Sequence, residues 1–168
     1  MTGDKSDIFI DIMETHKGII YKIGNLYCGN YESRKDLIQE ILLQLWKSFD
    51  NFNTQYKYST WIYRVALNVA ISFYRKEKSR AKFSNQFPEA IFNIADVHEN
   101  GDTKENTLLL RNFLNDLKEL DKALMLLYLE EKSHKEIAEI IGITETNVAT
   151  KINRIKALLQ QKILQLTT

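Results

Sequence analysis

Apolar positions recur at spacings of three and four along most of the 168-residue chain, and that periodicity predicts helices. Leu37, Ile38, Ile41, Leu42, Leu45, Trp46 and Phe49 define one amphipathic helix. Ser33, three residues before Asp36, is placed to cap it, so the helix is expected to begin near Arg34. A second helix spans roughly Ser59 to Lys78, with Ile62, Val65, Ala66, Val69 and Phe73 on one face and basic and aromatic residues on the other. Between them, Asp50 to Tyr58 is polar except for its rings and reads as a loop. Leu108, Leu109, Phe113, Leu114 and Leu117 mark a further helix, and Ala123 to Leu129, apolar on nearly every side, is expected at the centre of a core. Ser133-His134-Lys135-Glu136 has the form of a capping box. Gly142 suits the left-handed position that ends a helix, and Thr144 can cap the next one, to about Gln165.

Composition narrows the fold class. One proline and six glycines are too little turn punctuation for a protein of many short strands, so an all-α fold is expected. The apolar share, 44%, supports one domain or two small ones. The longest apolar stretch, Ala123 to Leu129, is far short of the roughly 20 residues of a membrane span, and the N-terminus lacks the basic start and apolar centre of a signal peptide. A cytoplasmic protein without direct membrane insertion is expected. The lone Cys28 cannot form an internal disulfide, and His16, His98 and His134 are too scattered to suggest a zinc site. With no phosphate loop and no recurring nucleophile, base and orienting group, neither an enzyme nor a cofactor or metal is expected. The net charge of +1 conceals a reversal: residues 57–80 carry +5 and residues 81–110 carry −3. A basic block followed by an acidic stretch suggests a polyanion-binding domain and then a linker, and Ala81 to Gly101, which holds Pro88, is the linker candidate.

The strongest local signal is a helix from His134 to Ile141, a turn through Gly142 and Ile143, and a helix from Glu145, the dimensions of a helix-turn-helix. Ala138 is small where the two helices should cross. Val148, Ile152, Ile155 and Leu159 form a core stripe, whereas Asn147, Thr150, Lys151 and Arg154 share a separate face. Amide, hydroxyl, ammonium and guanidinium groups are what reading base edges and holding phosphates require. A plain helical hairpin with a solvated polar face would share the local pattern.

Two longer motifs resemble a known family. Asp36 to Trp46 followed by Ser59 to Ala70 resembles conserved region two of bacterial sigma factors, and Glu136 to Thr144 with Val148 and Arg154 resembles region four. Their order, the short linker and the chain's size are similar to the extracytoplasmic-function group of the sigma-70 family. The resemblance implies two small helical domains, a region 2-like bundle at residues 1–80 and a region 4-like helix-turn-helix at 105–168, joined by a flexible linker at 81–104. It implies a subunit that binds core RNA polymerase through the clamp helices of the largest subunit and the flap of the second largest. It also implies recognition of promoter DNA at minus-10 and minus-35 elements, direction of initiation, and an anti-sigma partner.

On individual residues, Asp36, Gln39, Glu40, Leu43 and Trp46 resemble the polymerase-docking surface. Phe52, Tyr58, Arg64, Asn68, Arg75 and Lys76 resemble the element that captures the non-template strand, with Phe52 and Asn68 in the flipped-base pocket, Trp61 mainly packing, and Lys78 and Arg80 as further phosphate contacts. Thr146, Asn147, Thr150, Lys151 and Arg154 match the minus-35 reader. The chain departs from the family's commonest wording at Ser72, Asn147, Ala149 and Lys151. Two other readings fit parts of the pattern: a helix-turn-helix regulator acting without polymerase, and a sigma-like interaction protein that has lost DNA binding.

Overall fold

The computed structural model describes residues 3–84 and 101–168. Among these there are seven α-helices and no strand. Pro88, His98 and most of the stretch read as a linker lie outside the described residues. The chain divides into two compact units, one up to Ala95 and one from Asp96.

The first unit is a three-helix bundle of α1 (Lys5–Tyr27), α2 (Tyr31–Ser48) and α3 (Tyr58–Ser84), each packed on the other two. The apolar spacing of α2 places Leu37, Ile41 and Leu45 on one buried line, all with no exposed surface. They meet Ile20 and Ile23 of α1 and Ile62, Ala66, Leu67 and Ala70 of α3 in the same core. Truncating one such leucine or isoleucine to alanine costs about 2–5 kcal/mol. Gly24 lets α1 and α2 approach closely, since a Cβ there would stand 3.3 Å from Arg34 Cγ and Ile38 Cγ1.

Three boundaries differ from those the sequence predicts. Helix α2 begins at Tyr31, because Asn30 rather than Ser33 caps it: the Asn30 Oδ1 accepts from the Ser33 backbone N–H at 2.8 Å. A 3-10 turn, Phe49–Asn51, follows α2 and shortens the predicted loop. Helix α3 continues past Lys78 to Ser84. The periodic stripe Ile12, Ile20, Ile23 and Tyr27 makes α1 a full member of the bundle.

The second unit contains α4 (Gly101–Asp116), α5 (Glu119–Leu129), α6 (His134–Ile141) and α7 (Glu145–Thr167). Ala123, Leu124, Met125 and Leu127 of α5 are buried as expected, but Leu129, at the end of the helix, is exposed. Around α5 the core is completed by Phe113, Ile137, Ile140, Val148, Ile152 and Ile155, with Leu159 half-buried. Lys162 pairs with Asp116 and lies over the Phe113 ring, tying α7 to α4. No helix among the described residues is long and apolar enough to cross a membrane.

Candidate nucleic-acid interface

The helix-turn-helix is built by local signals acting in sequence. Ser133 and Glu136 form both bonds of the capping box, at 3.1 and 3.0 Å, satisfying two orphan N–H groups at the start of α6. Gly142 ends that helix at φ 82°, where its N–H and that of Ile143 both donate to the Ala138 carbonyl. Thr144 then caps α7 through a 3.1 Å bond from the Asn147 N–H. The preceding turn from α5 uses the same device with a costlier residue, since Glu131 takes φ 60° while the Lys132 N–H reaches back to the Leu127 carbonyl.

These caps fix which side of α7 faces outward. Val148, Ile152 and Ile155 are buried, and Thr146, Asn147, Thr150 and Arg154 are exposed on the other side, with Lys151 half-buried at its margin. The Thr150 hydroxyl donates to the Thr146 carbonyl at 2.9 Å, which leaves its oxygen free to accept. Arg154 donates through Nη2 to the carboxylate of Asp121, in the first turn of α5. Of the residues in the sequence-derived reader, Arg154 is thus the one with an ionic partner, supplied from 33 positions away.

In the first unit the loop ahead of α3 is held by stacked rings. Phe52 stacks on Tyr58 at 4.6 Å with the planes 21° apart, and its other neighbour is Trp61 at 5.3 Å. Asn53 turns the chain between them, its side chain accepting from the Gln55 N–H and its carbonyl from the Tyr56 N–H. Phe52 is half-buried and Tyr58 is exposed at the start of α3. Along that helix Arg64, Asn68 and Arg75 are exposed and fall within a sector of about 40° at 100° per residue, with Lys76 to one side. Ring faces, an amide and cations are therefore offered from one loop and one helix, the combination that single-stranded nucleic acid requires. Lys78 and Arg80 are exposed, and Arg80 pairs with Glu77 at 3.4 Å.

Sequence reasoning missed what braces this loop. Phe9 of α1 meets Trp46 and Phe49 edge-on at 5.1 and 5.5 Å, and Phe49 lies 6.0 Å from Trp61. Lys5 sits 4.5 Å from the Trp46 ring centre and bonds Asp50 at 2.8 Å. The signal was available, because Phe9 stands one helical turn before the buried Ile12 and Met13. On α2, Asp36, Gln39, Glu40 and Leu43 are exposed opposite the buried stripe, whereas Trp46 is half-buried beneath Phe9 and Lys5.

Comparisons with known proteins parallel this division. The family profile described as Sigma-70 region 2 matches residues 12–80, and that described as Sigma-70, region 4 matches residues 107–159. The ECF RNA polymerase sigma factor SigW of Bacillus subtilis is 28% identical over 171 residues, covering 96% of this chain and 91% of that protein. Among solved structures, the sigma factor RpoE in complex with the anti-sigma factor NepR from Bartonella quintana gives a TM-score of 0.71 at 18% identity, over 94% of this chain and 95% of that one. CnrH in complex with the cytosolic domain of CnrY gives 0.68 at 16% identity, over 98% and 92%.

Proposed function

The chain belongs to the sigma-70 family, in its extracytoplasmic-function group, and on that premise we propose that it binds core RNA polymerase and directs initiation at promoters with minus-10 and minus-35 elements. The observation that carries this reading is the pairing, in one chain, of an exposed hydrogen-bonding face on the second helix of a helix-turn-helix with a ring-stacked loop that leads into a basic helix. In the proposed role, Thr146, Asn147, Thr150, Lys151 and Arg154 enter the major groove at the upstream element. Phe52 and Tyr58 offer ring faces to unpaired bases, Asn68 offers an amide to a flipped base, and Arg64, Arg75 and Lys76 hold the strand's phosphates. Promoter opening is then thermodynamic: contacts made only with the single strand offset the few kcal/mol needed to unstack each flipped base. The exposed line Asp36, Gln39, Glu40 and Leu43, with Trp46 at its edge, docks on the clamp helices of the polymerase, and the second unit engages the flap.

We assign the chain no catalytic step of its own, a linker role to residues 81–104, of which 81–84 extend α3 and 101–104 open α4, and a cytoplasmic location. An anti-sigma partner is part of the proposal, supported by the two solved structures of similar fold, one whose sigma factor is bound to an anti-sigma factor and one bound to the cytosolic domain of CnrY. The test is transcription of the host's genomic DNA by core polymerase with and without the purified chain, with start sites mapped. New starts sharing two spaced upstream elements are expected. Absence of any new start, with the chain binding duplex DNA alone, would favour the regulator that acts without polymerase.

A further inference from the structure

The Asp121 side chain is only 13% exposed, and both its carboxylate oxygens accept from Arg154 Nη2, at 3.5 and 3.3 Å. Arg154 itself remains 57% exposed on the face it shares with Asn147 and Thr150. Asp121 also stands with Glu119 in the first turn of α5, where an acid complements the positive helix end. A carboxylate behind a surface meant for a polyanion weakens the outward field of the guanidinium and so its pull on phosphates. The same contact biases the orientation of the planar guanidinium through Nη2 alone, so a forked contact to a base would pair Nη1 or Nε with the second Nη2 hydrogen. Phosphate contacts carry no sequence information, whereas an oriented fork against a base edge does.

We propose that Asp121 is a positioning residue that makes Arg154 a reader of base edges instead of a phosphate clamp, and thereby sets discrimination at the upstream promoter element. This rests on the reading above that α7 enters the major groove.

Holoenzyme made from the full chain and core polymerase tests this on two duplexes. One carries the upstream element aligned from mapped starts, and the other has that element replaced by unrelated sequence of equal composition. With Asp121→Asn, discrimination between the duplexes is expected to fall about tenfold, the loss of one base-directed contact. Affinity for the replaced duplex should rise, and the salt dependence should steepen by about one unit of slope, since a cation is released toward phosphate. Arg154→Lys keeps the charge and removes the fork, so it should lose discrimination without steepening the slope. A purely structural Asp121 would instead weaken both duplexes equally and leave discrimination and slope at wild-type values, and that result overturns the proposal. Should Asp121→Asn fail to fold by circular dichroism, Asp121→Ser decides: discrimination and slope at wild-type values in that folded variant overturn the proposal, and discrimination lost with a steeper slope supports it. A wild-type holoenzyme that does not distinguish the two duplexes overturns the reading of α7 and this inference together, a result separable from the others.

Discussion

The turn before α6 and the turn between α6 and α7 both place a residue in the left-handed region, and they fill it in opposite ways. Gly142 adopts φ 82° and Glu131 adopts φ 60°. A Cβ built on Gly142 would meet nothing within 4 Å, so Gly142→Ala introduces no clash and isolates the backbone cost. That cost is about 1–2 kcal/mol for an L-residue in this region. Glu131→Gly removes a similar strain but adds unfolded-state freedom worth about 0.5–1 kcal/mol, leaving a net gain of up to about 1.5 kcal/mol. For a unit of this size 1 kcal/mol moves the melting temperature by about 4–8 °C. Scanning calorimetry of the full chain should therefore show the second unit's transition lowered by Gly142→Ala and raised by Glu131→Gly. Because the two sites lie in different turns, the double variant should fall near the sum of the two shifts, within about 0.5 kcal/mol. A neutral Gly142→Ala, or a destabilising Glu131→Gly, would refute the assignment of the strain to these dihedrals.

Three further outcomes follow from named contacts. Ser133→Ala removes the acceptor of one capping-box bond and should lower stability by about 0.5–2 kcal/mol in urea denaturation, with an unchanged m-value. Burial pushes the Cys28 thiol up to about 12, with Glu77 and Asp36 adding to the rise and Arg34 opposing it. The folded state therefore holds that proton where the unfolded thiol, near 9, has begun to lose it. The contribution is fully present below pH 9 and is lost as pH climbs toward 12, so wild-type stability should fall over that window more steeply than that of Cys28→Ala, measured by urea titration at each pH. Phe52→Ala removes the ring that stacks on Tyr58 and should lower open-complex formation about tenfold or more, read by permanganate footprinting, while polymerase binding in a pull-down stays at the wild-type level.

What could be read from the chain depended on the distance over which each signal acts. The helix-turn-helix was legible because its determinants, Ser133, Glu136, Gly142 and Thr144, act within three or four residues of their targets and choose residue types with few other uses. Helix α1 was not anticipated: Asp4 makes no side-chain cap, and Gly18 and Gly24 interrupt an otherwise helical stripe. Asn30 and Ser33 are both competent caps by residue type, and the extended backbone at Asn30 decides between them in favour of a start at Tyr31. The residues proposed for DNA contact lie on faces that periodicity predicts. The side chains that hold them do not follow from local rules, since Lys5 reaches Asp50 and Asp121 reaches Arg154 across long stretches of chain.

The line of rings from Phe9 through Trp46, Phe49 and Trp61 to Phe52 and Tyr58 ties the shape of an exposed loop to a helix that supplies none of the proposed DNA contacts. In the proposed role, the geometry offered to an unpaired base is inherited from how α1 sits on its neighbours. Substitutions drifting through the first turns of α1 would then retune which promoters open readily, leaving every residue at the DNA surface unchanged.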